Sequence, residues 1–476
     1  MVEFQPEVLD EEEVRRMLTE VTDDEVSRAR ALSLTPLKEQ ILVEGVPGGA
    51  VVRDSTGQEY IDCTAQAWTL NSGYCNPDIL YAVAEQMKHL THVRYGYPTI
   101  PRIKLINRLG ELFPGDLRKV ALNNEGGGFA IEAAMKLAMV NKPGATTFLT
   151  AWRGYHGASL ATLPASHYMP YLTRFPGYGL GHYVKFPYPY CYRCPVGLQR
   201  DDCSLACLQL VEGAIKYGAN TPVAGLIIEP IQGPGGMIPT PDGYLAGLKE
   251  LCARYGIYLI YDEAQTTFGR VGAMSASELY GVPPDMMALT KALGGGFPIG
   301  ALLAKEDMNR FTDVEEHTTF GANPVMMAAA LASIEVVLRK DLAGRAKRLG
   351  QQVTARLREL QGKYEIIGDI RGPGLFIGVE LVEDRETKKP AFERAVAFLE
   401  IALKLGVIFD VDMPELLSGL PTRRNVIKIK PVLTITDEQM EKALQVFEVC
   451  LQKVSALSQE DKRGILQKVL AQALPS

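Results

Sequence analysis

The sequence predicts an α/β protein with a mostly parallel, buried sheet and a second, smaller α+β lobe, and three observations carry that reading. From about Pro101 to Lys305, short apolar runs alternate with helical patterns. The runs are continuously apolar, as strands covered on both faces by helices must be. Three of them stop abruptly on an ionisable residue, as strands do when their carboxyl ends feed a ligand site.

In chain order, residues 10–40 read as charged, amphipathic helix, and "GAVVRDSTGQEYIDC" alternates like a hairpin turning at Ser55 to Gly57. The strand candidates follow: "KVALNN", "TTFLTAW", "VAGLIIEP", "IYLIYDEA", "DMMALTKA" and "IGALLAKE". The glycines after Lys291 admit a tight turn, so "FPIGALLA" is expected to return antiparallel. From "NPVMMAAALASIEVVL" onward long helices dominate, interrupted by "GLFIGVELV" and "NVIKIKPVL". The expected organisation is therefore a segment 1–95 shared with the small lobe, a large α/β domain 96–325, and a small α+β domain 326–476 with a polar helical tail.

Composition narrows the function. With 476 residues and 47% hydrophobic content, the chain can bury more than one substantial core. Its 50 basic and 56 acidic residues leave a net charge of −6 and no polybasic run, which argues against nucleic acid or an anionic membrane as partner. The acidic start "MVEFQPEVLDEEEVRRM" has no apolar signal core and no stretch is long enough to cross a bilayer, so a cytoplasmic location is expected. Of eight cysteines, Cys191, Cys194, Cys203 and Cys207 cluster in "CYRCPVGLQRDDCSLAC". That spacing raises structural zinc, but the segment lacks a histidine and its second pair is spaced like a helical turn, so reduced thiols or a local bridge are favoured and no metal is expected.

The ionisable strand ends are Glu229, Asp262 and Lys291. Any one alone reads equally well as a cap or a surface charge, but together they define a chemistry. A buried lysine of lowered pKa can form a Schiff base with a carbonyl cofactor, and a buried aspartate can keep a pyridine nitrogen protonated. Pyridoxal phosphate chemistry needs both. A phosphate cradle is available in "NNEGGGFAIEAAMKLA", where Gly126, Gly127 and Gly128 follow a strand and open a helix. The glycine spacing is not G-x-G-x-x-G, which disfavours a dinucleotide. Tyr155 in "WRGYHGASL" is the expected stacking platform, with Trp152 as the alternative.

"LIYDEAQTTFGR" followed by "PPDMMALTKALGGGFPIGALLA" resembles the motif of the class III, or ornithine/4-aminobutyrate-type, pyridoxal-phosphate aminotransferases, and the similarity runs from about Gly45 to about Gln452. The resemblance implies a fold type I enzyme with a mostly parallel seven-stranded sheet. By position, Lys291 would be the Schiff-base lysine and proton shuttle, Asp262 the partner of the pyridinium nitrogen, and Gln265 the partner of the phenolic oxygen. Gly127 and Gly128 would take the phosphate, with Tyr155 stacked on the ring and Glu229 completing the cofactor set. Thr319 in "HTTFGANP" would reach the phosphate of the other subunit, which implies a homodimer or a tetramer built from it.

Three departures bear on the substrate. Phe129 stands where the family has a glutamate, Pro234 where the ornithine and 4-aminobutyrate enzymes have a switch glutamate, and Lys428 where they have the carboxylate-binding arginine. A lysine is a point charge without the arginine fork. Lys428 and Trp68 are the residues expected on the substrate side, with Arg423, Arg424 and Lys430 as further cations in reach. The implied reaction passes an amino group from an amino acid or amine to a keto acid such as pyruvate or 2-oxoglutarate. Racemisation or dialkylglycine-type decarboxylation on the same scaffold is the alternative; a non-catalytic cofactor-binding protein or a nicotinamide oxidoreductase fits the residues less well.

Overall fold

The computed structural model describes residues 8–167, 175, 178–312, 314–412, 415–417, 420–422 and 424–473. Two short helices, Glu11–Thr19 and Asp23–Leu32, replace the single N-terminal helix expected from the charge pattern. Thr22 and Glu25 form a reciprocal capping box that starts the second one. Strands Leu42–Gly45 (β1), Val51–Asp54 (β2) and Glu59–Asp62 (β3) then form an antiparallel meander with the expected turn between β2 and β3.

The large sheet is built from Leu117–Asn123 (β4), Thr147–Ala151 (β5), Tyr183–Phe186 (β6), Val223–Ile228 (β7), Tyr258–Asp262 (β10), Met286–Leu289 (β11) and Gly300–Lys305 (β12). A two-residue hairpin, Ile231–Gln232 (β8) with Ile238–Pro239 (β9), follows β7. The seven strands lie in the order β4-β12-β11-β10-β7-β5-β6. Pairings among β6, β5, β7, β10 and β11 are parallel, and only β12 runs antiparallel to its neighbours. Every residue of β5, β7 and β11 is buried, the condition their unbroken apolar sequences anticipate. The edge strand β6 escapes that pattern because three of its four residues are only half-buried.

The C-terminal part folds around an antiparallel sheet ordered β13-β14-β19-β16, from Ile367–Arg371 (β13), Ile377–Leu381 (β14), Asp410–Val411 (β16) and Val426–Ile429 (β19). The hairpin Glu415–Leu417 (β17) and Leu420–Thr422 (β18) lies between β16 and β19. Val407–Ile408 (β15) joins the N-terminal meander, pairing parallel with β3. Long helices Pro324–Arg339, Leu342–Lys363 and Asp437–Ser455 contribute buried aliphatic faces to the same cluster as β13, β14 and β19.

The segment between β6 and helix Cys207–Tyr217 has only a 3-10 turn, Cys191–Arg193, yet it is anchored at its buried tyrosines. The Tyr188 hydroxyl lies 3.0 Å from the Glu229 carbonyl oxygen and 3.2 Å from that of Pro230. The Tyr190 hydroxyl donates to Glu380, which also receives Arg193 at 2.6 Å and Arg371 at 2.7 Å. Burial alone would raise the Glu380 carboxyl, but the two guanidinium groups outweigh it and hold it down at about 2. The four clustered cysteines line one cavity of about 20 Å³, form no disulfide, and no group of three or more His, Cys, Asp or Glu among the described residues is arranged to hold a metal ion. Cys207 opens its helix, whereas Cys203 sits in the turn before it, so the pair does not share a helical face.

Removing one partner of such a buried pair leaves uncompensated charge. Glu380→Gln is expected to lose about 3–5 kcal/mol of stability at neutral pH by denaturant unfolding. Because the folded-state pKa lies below the unfolded one, the difference from wild type should shrink as pH falls from about 4.5 towards about 2.

Candidate active site

Strands β7, β10 and β11 are neighbours in the sheet and end together, so Glu229, Asp262 and Lys291 converge at one edge. Their site is a cavity of about 370 Å³ whose wall includes Gly127, Gly128, Tyr155, His156, Asp262, Thr290 and Lys291. Glu229 is 4% exposed and accepts the Tyr155 N–H at 3.1 Å and the Gly233 N–H at 3.0 Å. Burial and the charge of Asp262 push its carboxyl up to about 8. Enclosure by the protein lowers the Lys291 ammonium below the usual lysine range, with Asp262 and Glu229 opposing. Lys291 also holds a left-handed backbone, φ 53°, a strained conformation for a side chain that must leave the strand end at a fixed angle.

Asp262 accepts the Ala264 N–H at 3.1 Å and faces His156 Nδ1 at 2.9 Å. Sequence reasoning passed over this histidine. It is 2% exposed, and its Nε2 has no partner in the structure. Its signal was its place in "YHG", next to the residue read as the stacking platform. A hydrogen bond between Nδ1 and the carboxylate fixes the aspartate's orientation.

The glycine run behaves as a cradle. Helix Gly127–Asn141 starts after Gly126, φ 94°, with no side chain capping its first N–H groups, which are left for an anion. A Cβ on Gly127 would lie 2.8 Å from Thr290 Cγ2, and one on Gly157, φ 131°, would lie 2.8 Å from Gly128 Cα. The loop after Tyr155 and the helix start therefore touch backbone to backbone. Gln265 is 7% exposed and its Oε1, an acceptor, has no partner; it lies three residues after Asp262. An uncapped helix start, a buried aspartate and a lysine around one cavity, with Gln265 three residues along the chain from that aspartate, fit pyridoxal phosphate.

Other expected residues fall out differently. Tyr155 lines the cavity, whereas Trp152 is 43% exposed and absent from its wall. Phe129 and Glu125 lie on the cavity rim where the family glutamate was expected. Thr319 is exposed and does not line the cavity of its own chain. Lys428 and Trp68 are buried and adjacent, with Lys428 Nζ 5.1 Å from the indole centroid and Lys291 Nζ 5.6 Å from it. Lys430 joins them, Arg424 is half-buried with an unpartnered Nε, and Arg423 lies outside the described residues.

A family model described as aminotransferase class-III matches residues 39–451, and the chain belongs to that family. It is 36% identical over 403 residues to a leucine/methionine racemase of Thermococcus litoralis, covering 84% of this chain and 88% of that one. With a 5-aminovalerate aminotransferase of Pseudomonas aeruginosa it shares 32% identity over 412 residues, 85% of this chain and 92% of the relative. A crystal structure of an amine transaminase from an uncultivated Pseudomonas species, in its PLP-bound form, superposes with a TM-score of 0.80 at 28% identity, over 88% of this chain and 95% of the other. The fold is thus that of the fold type I transaminases, and the protein is a pyridoxal-phosphate-dependent class III aminotransferase.

Gly127→Val would force a side chain into Thr290 at the mouth of the cradle. The variant is expected to keep its far-ultraviolet circular dichroism and to bind pyridoxal phosphate roughly 10- to 100-fold more weakly, as read by titration of cofactor absorbance, in line with the usual cost of overpacking.

Proposed function

We propose that Lys291 is the group to which the cofactor carbonyl attaches and that its Nζ afterwards carries the proton leaving the substrate α-carbon. The observation that supports this most directly is the convergence of Asp262 and Lys291 on the glycine-walled cavity, with Glu229 ending the adjacent strand. Pyridoxal phosphate, when bound, supplies a ring that draws electrons from the substrate α-carbon. Lys291's lowered pKa leaves a larger fraction as the free amine, the form able to accept that proton. Asp262, backed by His156, holds the ring nitrogen protonated. Gln265 would offer its amide N–H to the phenolic oxygen, Gly127 and Gly128 would offer backbone N–H groups to the phosphate, and Tyr155 would cover the ring. Glu229, its carboxyl pushed up to about 8 by burial and by Asp262, steadies the Tyr155 backbone while carrying less than a full negative charge beside Asp262 at neutral pH.

The reaction proposed is transfer of an amino group from an amino acid or amine to a 2-keto acid, pyruvate or 2-oxoglutarate. Thr319, exposed on its own chain, acts in this reading on the phosphate of a second copy, in a homodimer or a larger assembly. No helix among the described residues is long and apolar enough to cross a membrane, and a cytoplasmic setting is part of the proposal. Racemisation is the second reading, favoured by the similarity to the Thermococcus litoralis racemase.

Purified protein supplied with pyridoxal phosphate should absorb in the visible, and Lys291→Ala should lose both that band and all but about a thousandth of turnover. A panel of amino acids and amines with pyruvate and 2-oxoglutarate separates the reactions. Keto-acid-dependent amino transfer is expected; enantiomer exchange or carbon dioxide release in its absence would replace it.

A further inference from the structure

The wall of the cofactor cavity is held by a group that none of the roles above accounts for. Loop 154–157 carries Tyr155 and His156, and residues 159–167 form a strap beside it. The His167 N–H donates to the Gly154 carbonyl at 2.8 Å, and the His156 N–H donates to the Ser166 hydroxyl oxygen at 2.8 Å. That hydroxyl lies 3.2 Å from the Gly157 carbonyl and 3.1 Å from that of Thr162, so its single hydrogen is used within the same group. A Cβ on Gly157 would meet Thr162 Oγ1, which leaves no space between strap and loop. At one end the strap is tied to the cradle helix, where Ser159 donates to Glu132.

The other end ends on orphaned carbonyls. Helix Thr162–Ala165 is four residues long, so its last carbonyls find no N–H within their own helix. Lys185 meets them: its Nζ lies 2.7 Å from the Pro164 oxygen, 2.6 Å from that of Ala165 and 3.1 Å from that of Ser166. The same Nζ reaches Thr150 Oγ1 at 2.7 Å, directly across the parallel pairing of β5 with β6. All these partners are neutral, and among the described residues no carboxylate is ion-paired with this lysine. Enclosure pushes its ammonium down to about 7, yet even the free amine keeps N–H groups for the strap. An apolar side chain of similar length could fill the space but could not gather three carbonyls at one point of β6.

We propose that Lys185 is a positioning residue for the cofactor end of the site. By drawing the carbonyls of residues 164–166 onto β5 and β6 it fixes the Ser166 hydroxyl, and that hydroxyl fixes the backbone of His156 and Gly157. His156 is thereby set 2.9 Å from Asp262, and Tyr155 and Gly157 keep their places in the cavity wall. Lys185 is not part of that wall, so its effect passes through the strap. This role rests on the reading of the cavity as a pyridoxal phosphate site and extends that site to the edge strand β6.

Lys185→Met keeps a side chain of similar length without donors, and Ser166→Ala cuts the link to His156 while leaving the three carbonyls on Lys185. In cofactor-free protein, hydrogen–deuterium exchange in segment 154–157 should speed up by about 10-fold in both variants, with β10 and β11 unchanged. Both should bind pyridoxal phosphate about 10-fold more weakly in an absorbance titration, and the double variant should be little worse than either single one, because the two residues act in series. In the loaded enzyme the pH at which the visible band changes should move in both variants, and kcat should fall by about 5-fold with the KM for the amino donor nearly unchanged. A lower Tm in Lys185→Met with unchanged exchange, cofactor affinity and band would overturn the proposal, as would additive losses in the double variant. If Lys185→Met does not fold, Ser166→Ala and Thr150→Val, which removes one oxygen from Lys185, decide the matter: wild-type exchange and cofactor affinity in both would overturn it. If wild type takes up no pyridoxal phosphate while exchange at 154–157 still responds to both variants, the cofactor reading falls and Lys185 stands as the anchor of the loop.

Discussion

Three ionisable groups share the end of one buried sheet, and the chain has to keep them chemically different from one another. Glu229, Asp262 and Lys291 sit on adjacent strands, so two full negative charges there would repel at short range in a poorly screened setting. The structure separates them by environment. Glu229 receives two backbone N–H groups but is forced towards its neutral form by burial and by Asp262, whereas Asp262 has the imidazole of His156 behind it. The lysine is lowered by the same enclosure. One acid held mostly neutral, one aspartate held by an imidazole and one amine made easier to deprotonate is the pattern in which titratable groups take different tasks.

Much of the scaffold exists to hold that edge still. Tyr188 packs against the backbone of Glu229 and Pro230, and two positions on, Tyr190 reaches the Glu380–Arg371 pair of the C-terminal sheet. A nearly irregular segment therefore couples the strand end to the other lobe. Arg270, fully buried, does similar work elsewhere: it donates to Asn71 Oδ1 at 2.6 Å, to the Leu375 carbonyl at 3.1 Å and to the Pro431 carbonyl. Burial pushes that guanidinium down to about 9, so the residue that helped identify the family motif is structural in its contacts.

What could be read from the residues alone follows from how locally each feature is encoded. Strands β7, β10 and β11 were visible because each is an apolar run ending on a charge, and the cradle because its glycines are consecutive. Strand β6 was not, since a half-exposed edge strand has no strong pattern. The turn at Ala65–Trp68 was hidden for a different reason: alanine, glutamine and tryptophan are ordinary helix residues, and the left-handed conformation comes from the Asp62 carboxylate and Tyr74. The pairing of Lys428 and Lys430 with Asp410 joins residues from different strands, about 20 positions apart, and only the register of β16 on β19 brings them opposite.

That left-handed turn costs roughly 1–2 kcal/mol per residue relative to a right-handed one, and natural chains seldom use four in succession without glycine. The chain would be more stable if it relaxed, for example with glycine at residues 65–67. Stability screens would therefore favour such changes, and they would also free the tryptophan to rotate. The turn is a place where a gain in stability and a fixed position for the Trp68 indole pull in opposite directions.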